Sequence, residues 1–427
     1  MEVRSDLVGE GEMPDYQKIG RAERPLRVLS LFSGCGGMDL GMEGGFIAPR
    51  KSFVEGSGAV ARVINEDWVL VRKTRMETVF ANDILPEAYA TWAAYMSRFG
   101  RGAETYRRES VVDLVKRAKV GERVFPEGVD IVTGGFPCQD FSVAGKRLGF
   151  ESRRRHDGKA RGEDEPTEET RGKLYYWMKQ VIDLTRPKVF VAENVKGLVS
   201  LGDVKEIIQR DFASADGGGY IVLTPRVLHA ADYGVAENRE RVIFIGLRRD
   251  ALRGEALSAL EGGESGGEYD PYPRATHGYT RSGEGLLEPL TTWDVLHGLR
   301  EPGESVDAAQ NTYSRAKYLG HGQGQTEIRL DGIGPTIRSE HHGNIEYRRL
   351  SAEHGGRHAA ELVRGLAERR LTPRECGLIQ TFPPDFPLVG GGLSASGAYK
   401  VVGNAVPPVL AYRIGERLEE VWERWFE

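Results

Sequence analysis

Short β-branched runs that stop at a glycine or a carboxylate recur through the first half of the chain. That rhythm points to an α/β fold. Pro25 to Phe32 is a strand candidate, followed at once by Ser33-Gly34-Cys35-Gly36-Gly37-Met38-Asp39-Leu40-Gly41. Strand, glycine turn and helix open a nucleotide-binding βα unit, where glycines admit a ligand and the helix offers free N–H groups. The spacing here is Phe32-x-Gly34-x-Gly36-Gly37 rather than GxGxxG, so a ligand-free tight turn stays open as a reading. Thr78 to Asp83 reads as a second strand ending in an acid, with an amphipathic helix over 84–99. Asp83 is placed to accept hydrogen bonds from ribose hydroxyls or to cap that helix.

The next unit is Asp130-Ile131-Val132-Thr133, broken by Gly134-Gly135 and followed by Phe136-Pro137-Cys138-Gln139. Loops at the carboxyl ends of parallel strands are where α/β enzymes keep their chemistry. Cys138 there is either a nucleophile, if its surroundings favour the thiolate, or a small apolar residue at a strand end. Lys188 to Val195 is another buried strand. It carries Glu193, whose pKa would rise if desolvated, which suits a proton donor; a capping role is the alternative. Strands are also expected over 220–229 and 241–247, and between them stands Arg239-Glu240-Arg241. In extended chain both arginines project from one face, to grip a phosphate or base edge or to form a salt-bridge ladder.

A chain of 427 residues, 40% hydrophobic and 28% charged, suits a globular protein of two or three domains. Cys35, Cys138 and Cys376 are too few for a disulfide framework and fit a reducing compartment. The first 25 residues lack a signal-peptide core and no stretch approaches a membrane span, so a cytoplasmic protein is expected. The net charge of −5 argues against a non-specific polycation but leaves room for one basic face on a duplex. Residues 1–24 read as a flexible, polar N-terminus, 46–77 as an insertion, and 152–165 as a charged, mobile loop, with a solvated loop of no role as the alternative. From 249 glycine, serine, glutamate and proline rise, and 249–398 is expected to be a second, irregular, β-leaning domain. Its histidines lack clustered cysteines or a matching carboxylate, so no metal site is expected. Thr372-Pro373-Arg374-Glu375 has the N-cap, proline and capping-box pattern of a helix start, with Cys376 facing inward.

Taken in order, Phe32-x-Gly34-x-Gly36-Gly37, Gly135-Phe136-Pro137-Cys138-Gln139, Glu193-Asn194-Val195, Arg239-x-Arg241, Arg370-Leu371-Thr372-Pro373-Arg374-Glu375 and Gly403-Asn404-Ala405-Val406-Pro407 resemble the DNA (cytosine-5) methyltransferases of bacterial restriction–modification systems. The resemblance covers most of 26–248 and 366–420. It implies a doubly wound, mostly parallel, Rossmann-like sheet that binds S-adenosylmethionine, built from 25–248 plus 399–427. It implies a smaller, β-rich target-recognition domain with its hinge over 249–398, and double-stranded DNA in the cleft between. By resemblance Cys138 adds to carbon 6 of a flipped-out cytosine, and the loop 140–171 closes over that base. Glu193 would hold its exocyclic amine and N3, Arg239 its O2, and Arg241 would shape the site. Phe32, Gly34, Gly36, Asp83, Ser110, Pro137, Leu174 and Asn404 fall on cofactor positions. Gln139, Ser142, Arg171, Arg338, His341, Asn344 and Arg348 are the expected DNA contacts.

The chain departs from the family in showing Glu237 where glutamine is usual, and Ser110 where an aspartate near adenine is usual. The expected protein is a monomeric, nucleoid-associated modification enzyme of a prokaryote, using no metal and sharing its site with a restriction endonuclease. A tRNA cytosine-5 methyltransferase and a non-catalytic DNA-binding module are the competing readings. The length of 249–369 favours DNA over tRNA, and the presence of both Cys138 and Glu193 opposes a dead module.

Overall fold

The computed structural model describes residues 5–19, 22–137, 174–263, 266–339, 345–389 and 393–426. Cys138, Gln139, Ser142, Arg171, His341 and Asn344 lie outside the described residues, as does the whole of the loop expected over 140–171. In chain order the strands are β1 (Leu26–Leu31), β2 (Ile47–Pro49), β3 (Val60–Val63), β4 (Trp68–Val71), β5 (Met76–Asn82), β6 (Tyr106–Arg107) and β7 (Ile131–Gly135). They continue as β8 (Val189–Val195), β9 (Tyr220–Val222), β10 (Arg226–His229), β11 (Glu240–Arg248), β12 (Tyr347–Arg349) and β13 (Arg369–Arg370). Helices of seven residues or more are α1 (Gly37–Glu43), α2 (Pro86–Met96), α3 (Val111–Lys119), α4 (Leu174–Thr185), α5 (Val204–Ala213), α6 (Gly254–Glu261), α7 (Pro373–Ile379), α8 (Ala395–Asn404) and α9 (Pro408–Phe426).

The main sheet runs β10-β11-β8-β7-β1-β5-β6, with β9 also paired to β11. Pairing is parallel from β6 through β5, β1 and β7 to β8, and antiparallel where β11 meets β8 and β10. The winding reverses between β1 and β7, because β5 and β6 build outward on one side and β7 and β8 on the other. A crevice opens at the carboxyl ends of strands at such a switch point.

Alternation along each strand sorts side chains into two cores. Val28, Ile131, Val189, Val191, Ile243 and Ile245 join one, with Trp92 and much of α9. Leu29, Val132, Phe190, Ala192, Val242 and Phe244 join the other, with α3, α4 and α5. A period of two with both faces apolar is what a sheet covered on both sides requires.

Helix α9 returns the chain to the first core. Trp422 and Trp425 on it are fully buried. It approaches α1 so closely that a Cβ at Gly41 would lie 2.3 Å from the Pro408 carbonyl and 2.4 Å from the Ala411 Cβ. The insertion expected over 46–77 is a three-stranded antiparallel sheet, β2-β4-β3. The described part of the N-terminus is docked rather than mobile. Val8 and Tyr16 are buried, and Tyr16 Oη donates to Asp385 Oδ2 at 2.8 Å while its ring meets Tyr95 and Phe99 edge-on. The few apolar residues of this polar stretch follow neither a strand nor a helix period, which is why the sequence reads as mobile.

Between 249 and 398, β pairing in named strands is confined to β12 with β13, and the described remainder is loop and short helix. Arginine–carboxylate pairs fill this region: Arg348 with Glu361 (2.6 Å), Arg349 with Glu361 (2.7 Å), Arg369 with Glu301 (3.0 Å) and Glu375 (2.8 Å), and Arg374 with Asp307. Helix α7 starts where the pattern places it, with Thr372 and Glu375 forming a capping box and Cys376 buried.

Substituting Gly41→Ala should destabilise the fold by about 2 kcal/mol, because the added methyl meets a backbone carbonyl that cannot swing aside. Urea denaturation would show a lower midpoint with an unchanged slope.

Candidate active site

One cavity of about 400 Å³ opens at the switch point. Its wall includes Phe32 and Gly34 after β1, Asp83 after β5, Ser110 before α3, Gly135 and Pro137 after β7, Leu174 at the start of α4, Glu193 on β8, Arg241 on β11 and Asn404 at the end of α8. Positions spread over most of the chain thus converge: carboxyl ends of the parallel strands, the starts of α3 and α4, the amino end of antiparallel β11 and the end of α8 all face one crevice.

The β1 turn is strained toward this space. Phe32 has φ +52°, a left-handed conformation that is costly for an aromatic residue, by about 1–3 kcal/mol. It is held by the Ser33 N–H donating to the Asn82 carbonyl at 2.8 Å. Gly34 has φ +55° and nothing within 4 Å of where a Cβ would stand, so the backbone itself borders open cavity. Gly36 serves differently from expectation. It caps α1 at φ +91° and does not line the cavity; a Cβ there would meet the Trp92 ring at 2.6 Å. Its missing side chain makes room for a tryptophan rather than a ligand.

Asp83 turns one oxygen to the Gly34 N–H (3.1 Å) and the other to the Leu85 N–H (3.0 Å). Desolvation raises its carboxyl above the usual range, partly offset by those backbone donors and by the positive charge of Lys400. It is not the α2 cap, since Leu85 takes that place with Pro86 following. Ser110 does cap α3, its Oγ accepting from the Val112 N–H at 3.3 Å. Lys400, one helical turn before Asn404, also lines the cavity, a position that sequence reasoning left without a role.

At the other end Glu193 and Arg241 form a pair, Nε to Oε1 at 2.7 Å. The sheet register sets it: Gly135 lies opposite Glu193, and Arg241 opposite Val195. Glu193 Oε2 lies 3.0 Å from where a Cβ on Gly135 would be, so only glycine there leaves the carboxylate its present room. Asn194, also without an assigned role in sequence, donates from Nδ2 to the Phe136 carbonyl at 3.1 Å and fixes the segment that runs into Cys138.

Arg239 and Arg241 do not share a face. β11 begins only at Glu240, and Arg239 sits in a turn where its N–H donates to the Glu237 carbonyl at 2.9 Å. Its guanidinium is 1% exposed and donates to the carbonyls of Ile337 (3.0 Å), Gly403 (3.0 Å) and Ala405 (2.7 Å). The arginine on the cavity wall is Arg241, so the expectation that Arg239 meets the base is corrected. Glu237 is fully buried, with Oε1 accepting from the Ile337 N–H at 2.7 Å and from Arg239 at 3.3 Å. Among the described residues its Oε2 has no partner, and burial raises its pKa.

Of the expected DNA contacts, Arg348 is consumed by Glu361 and Glu375 in the interior, which corrects that expectation. Arg338 stays partly exposed, with Glu346 at 3.3 Å.

A profile of C-5 cytosine-specific DNA methylases matches residues 26–420. The chain belongs to the C-5 cytosine-specific DNA methylases. This methylase is 30% identical to the Type II methyltransferase M.BsuRI of Bacillus subtilis, over 94% of this chain and 81% of that one. It is 28% identical to the Type II methyltransferase M.NgoFVII of Neisseria gonorrhoeae, over 90% and 83%. In fold it is similar to the S. pombe Dnmt2 methyltransferase, at 16% identity and TM-score 0.54, over 92% of this chain and 98% of that one. The Entamoeba histolytica methyltransferase EhMeth matches at 14% identity and TM-score 0.54, over 93% and 98%. It is a DNA (cytosine-5) methyltransferase in family and in fold.

A raised pKa means that folding favours protonated Glu237, so stability falls as pH rises through and beyond the ordinary carboxyl range. Glu237→Gln keeps the Oε1 acceptor and removes the buried charge. The variant should melt above the wild type at pH 8, with the gap shrinking at pH 5; thermal unfolding at both values would show it.

Proposed function

We propose that this methylase transfers the methyl of S-adenosylmethionine to carbon 5 of a cytosine flipped out of a specific duplex DNA sequence, through a covalent Cys138–carbon 6 bond. We place it as the modification half of a restriction–modification pair, a cytoplasmic monomer working on DNA beside an endonuclease of the same specificity. Residues 25–248 with 399–427 are taken as the catalytic unit and 249–398 as the target-recognition unit. The observation that carries the reading is one cavity with the strained Phe32 turn and Asp83 at one end, the Glu193–Arg241 pair at the other, and Pro137 leading to Cys138.

The cavity fits the cofactor. Gly34 leaves a cradle that a Cβ would enter, and Asp83 is a desolvated acceptor suited to ribose hydroxyls. Phe32 would pack on adenine, with Ser110, Leu174 and Asn404 lining the remainder. When bound, S-adenosylmethionine supplies an electrophilic sulfonium methyl.

The protein's own task is to make carbon 5 nucleophilic. The Cys138 thiolate forms a bond to carbon 6 and the ring electrons move toward N3, where Glu193 supplies the proton. Carbon 5 thereby gains enamine character. Arg241, bonded to Glu193 Oε1, orients that carboxyl and stands beside the base. Once carbon 5 is substituted and its proton lost, the thiolate leaves, the N3 proton returns to Glu193 and the ring is restored. Attack on carbon 6 comes from above the ring plane, so the base has to leave the stack first.

Duplex DNA carrying 5-fluorocytosine at the target, with S-adenosylmethionine, should trap a denaturation-resistant adduct, because fluorine cannot leave as a proton does. Cys138→Ser should abolish both adduct and turnover while cofactor still binds. A wild-type protein that forms no adduct on methylatable duplex sinks the covalent route. Asp83→Asn should weaken cofactor binding roughly ten- to a hundredfold, the loss expected for a charged hydrogen bond, with DNA affinity unchanged; calorimetric titration with S-adenosylhomocysteine reads it.

A further inference from the structure

Most arginines in the segment after β11 are spent. Arg338, Arg348, Arg349, Arg357, Arg369 and Arg374 each face a carboxylate. Arg315 and Lys317 are exposed and have no carboxylate partner among the described residues. In a chain of net charge −5, two uncompensated cations on one loop are a local feature with a direction.

The loop that carries them is mounted rather than slack. Arg370, 2% exposed and stacked 4.2 Å over the Tyr347 ring, donates to the carbonyls of Ala316 (2.9 Å), Lys317 (3.2 Å), Gly324 (2.8 Å) and Ile345. Inside the loop, Gln325 Oε1 accepts from the Leu319 N–H at 2.8 Å, and Gly320, Gly322 and Gly324 take positive φ to close the turn. The other tether reaches the catalytic side: the Ser314 N–H donates to Tyr399 Oη at 3.1 Å. Tyr399 belongs to α8, whose Lys400, Val401, Gly403 and Asn404 line the cavity. The loop is therefore tied to the helix that carries the cavity residues Lys400 and Asn404.

Arg315 is poised for recognition. Its guanidinium lies over the Tyr313 ring, 4.1 Å from the centroid, with Nη1 donating to Tyr313 Oη at 2.6 Å. That leaves the rest of a planar, two-pronged donor free, the geometry that pairs with the O6 and N7 of guanine in a major groove. Lys317, two residues on, is a point charge suited to a phosphate.

Resting on the reading of duplex DNA as substrate, we propose that loop 313–323 docks on the duplex, with Arg315 reading a base edge and Lys317 holding a phosphate.

The test compares wild type, Arg315→Ala and Lys317→Ala on duplex oligonucleotides whose sequence is taken from bisulfite maps of DNA methylated by the wild type. Both substituted side chains are exposed, so both variants should fold as the wild type does. Arg315→Ala should raise the KM for duplex roughly tenfold or more and spread methylation to sites differing at one base pair, with the KM for S-adenosylmethionine unchanged. Lys317→Ala should weaken all duplexes alike and lower the slope of log affinity against log salt by about 0.9. Active wild type, with both variants matching it in KM, salt slope and methylated motif, overturns the loop assignment alone. Wild type that methylates no duplex overturns the underlying reading, and this one with it.

Discussion

One buried guanidinium joins the parts of this enzyme that sequence keeps apart. Arg239 donates to carbonyls at 337, 403 and 405 and is flanked by Glu237, so the entry to β11, the segment after 330 and the end of α8 meet at one side chain. A guanidinium offers five donors in a fixed plane, and few other groups could satisfy three carbonyls at once. The fit is close on every side: a Cβ at Gly403 would fall 2.2 Å from the Arg338 carbonyl carbon. Asn404 lines the cavity wall because its backbone is held at this junction, and Arg241 departs toward Glu193 two residues beyond it. Removing such a group would leave several buried carbonyls without donors, each costing about 1–3 kcal/mol.

The two halves of the molecule are stabilised differently. The sheet has continuous apolar faces on both sides, and its cores are aliphatic and aromatic. The described residues between 300 and 380 have short elements and little sheet, and carry a lattice of arginines and carboxylates around Glu301, Glu361 and Glu375. Buried ion pairs of this kind add little net stability against a well-packed apolar core, but breaking one leaves a bare charge inside. Such a segment tolerates irregular backbone, provided that the charges stay matched.

What could be read from the sequence follows from this difference. Strand ends around Phe32, Asp83, Gly135 and Glu193 were legible because a period of two and a terminal glycine or acid are local signals, and the structure gathers these positions around one cavity. Helix α7 was legible from Thr372, Pro373 and Glu375 alone. The part played by Arg239 was not, since alternation along a strand says nothing about where that strand begins. Nor was the burial of Arg348, whose partners Glu361 and Glu375 lie 13 and 27 positions away with no periodic relation to it. Gly36 resembled its neighbours in pattern, yet a tryptophan from a distant helix claims its space.

Arg370 grips its loop through carbonyl oxygens, which every amino acid possesses. The identities of residues 313 to 323 are therefore largely decoupled from the scaffold that displays them. Substitutions in that loop can accumulate without loosening its attachment, so its surface is free to drift while the scaffold beneath it stays unaltered.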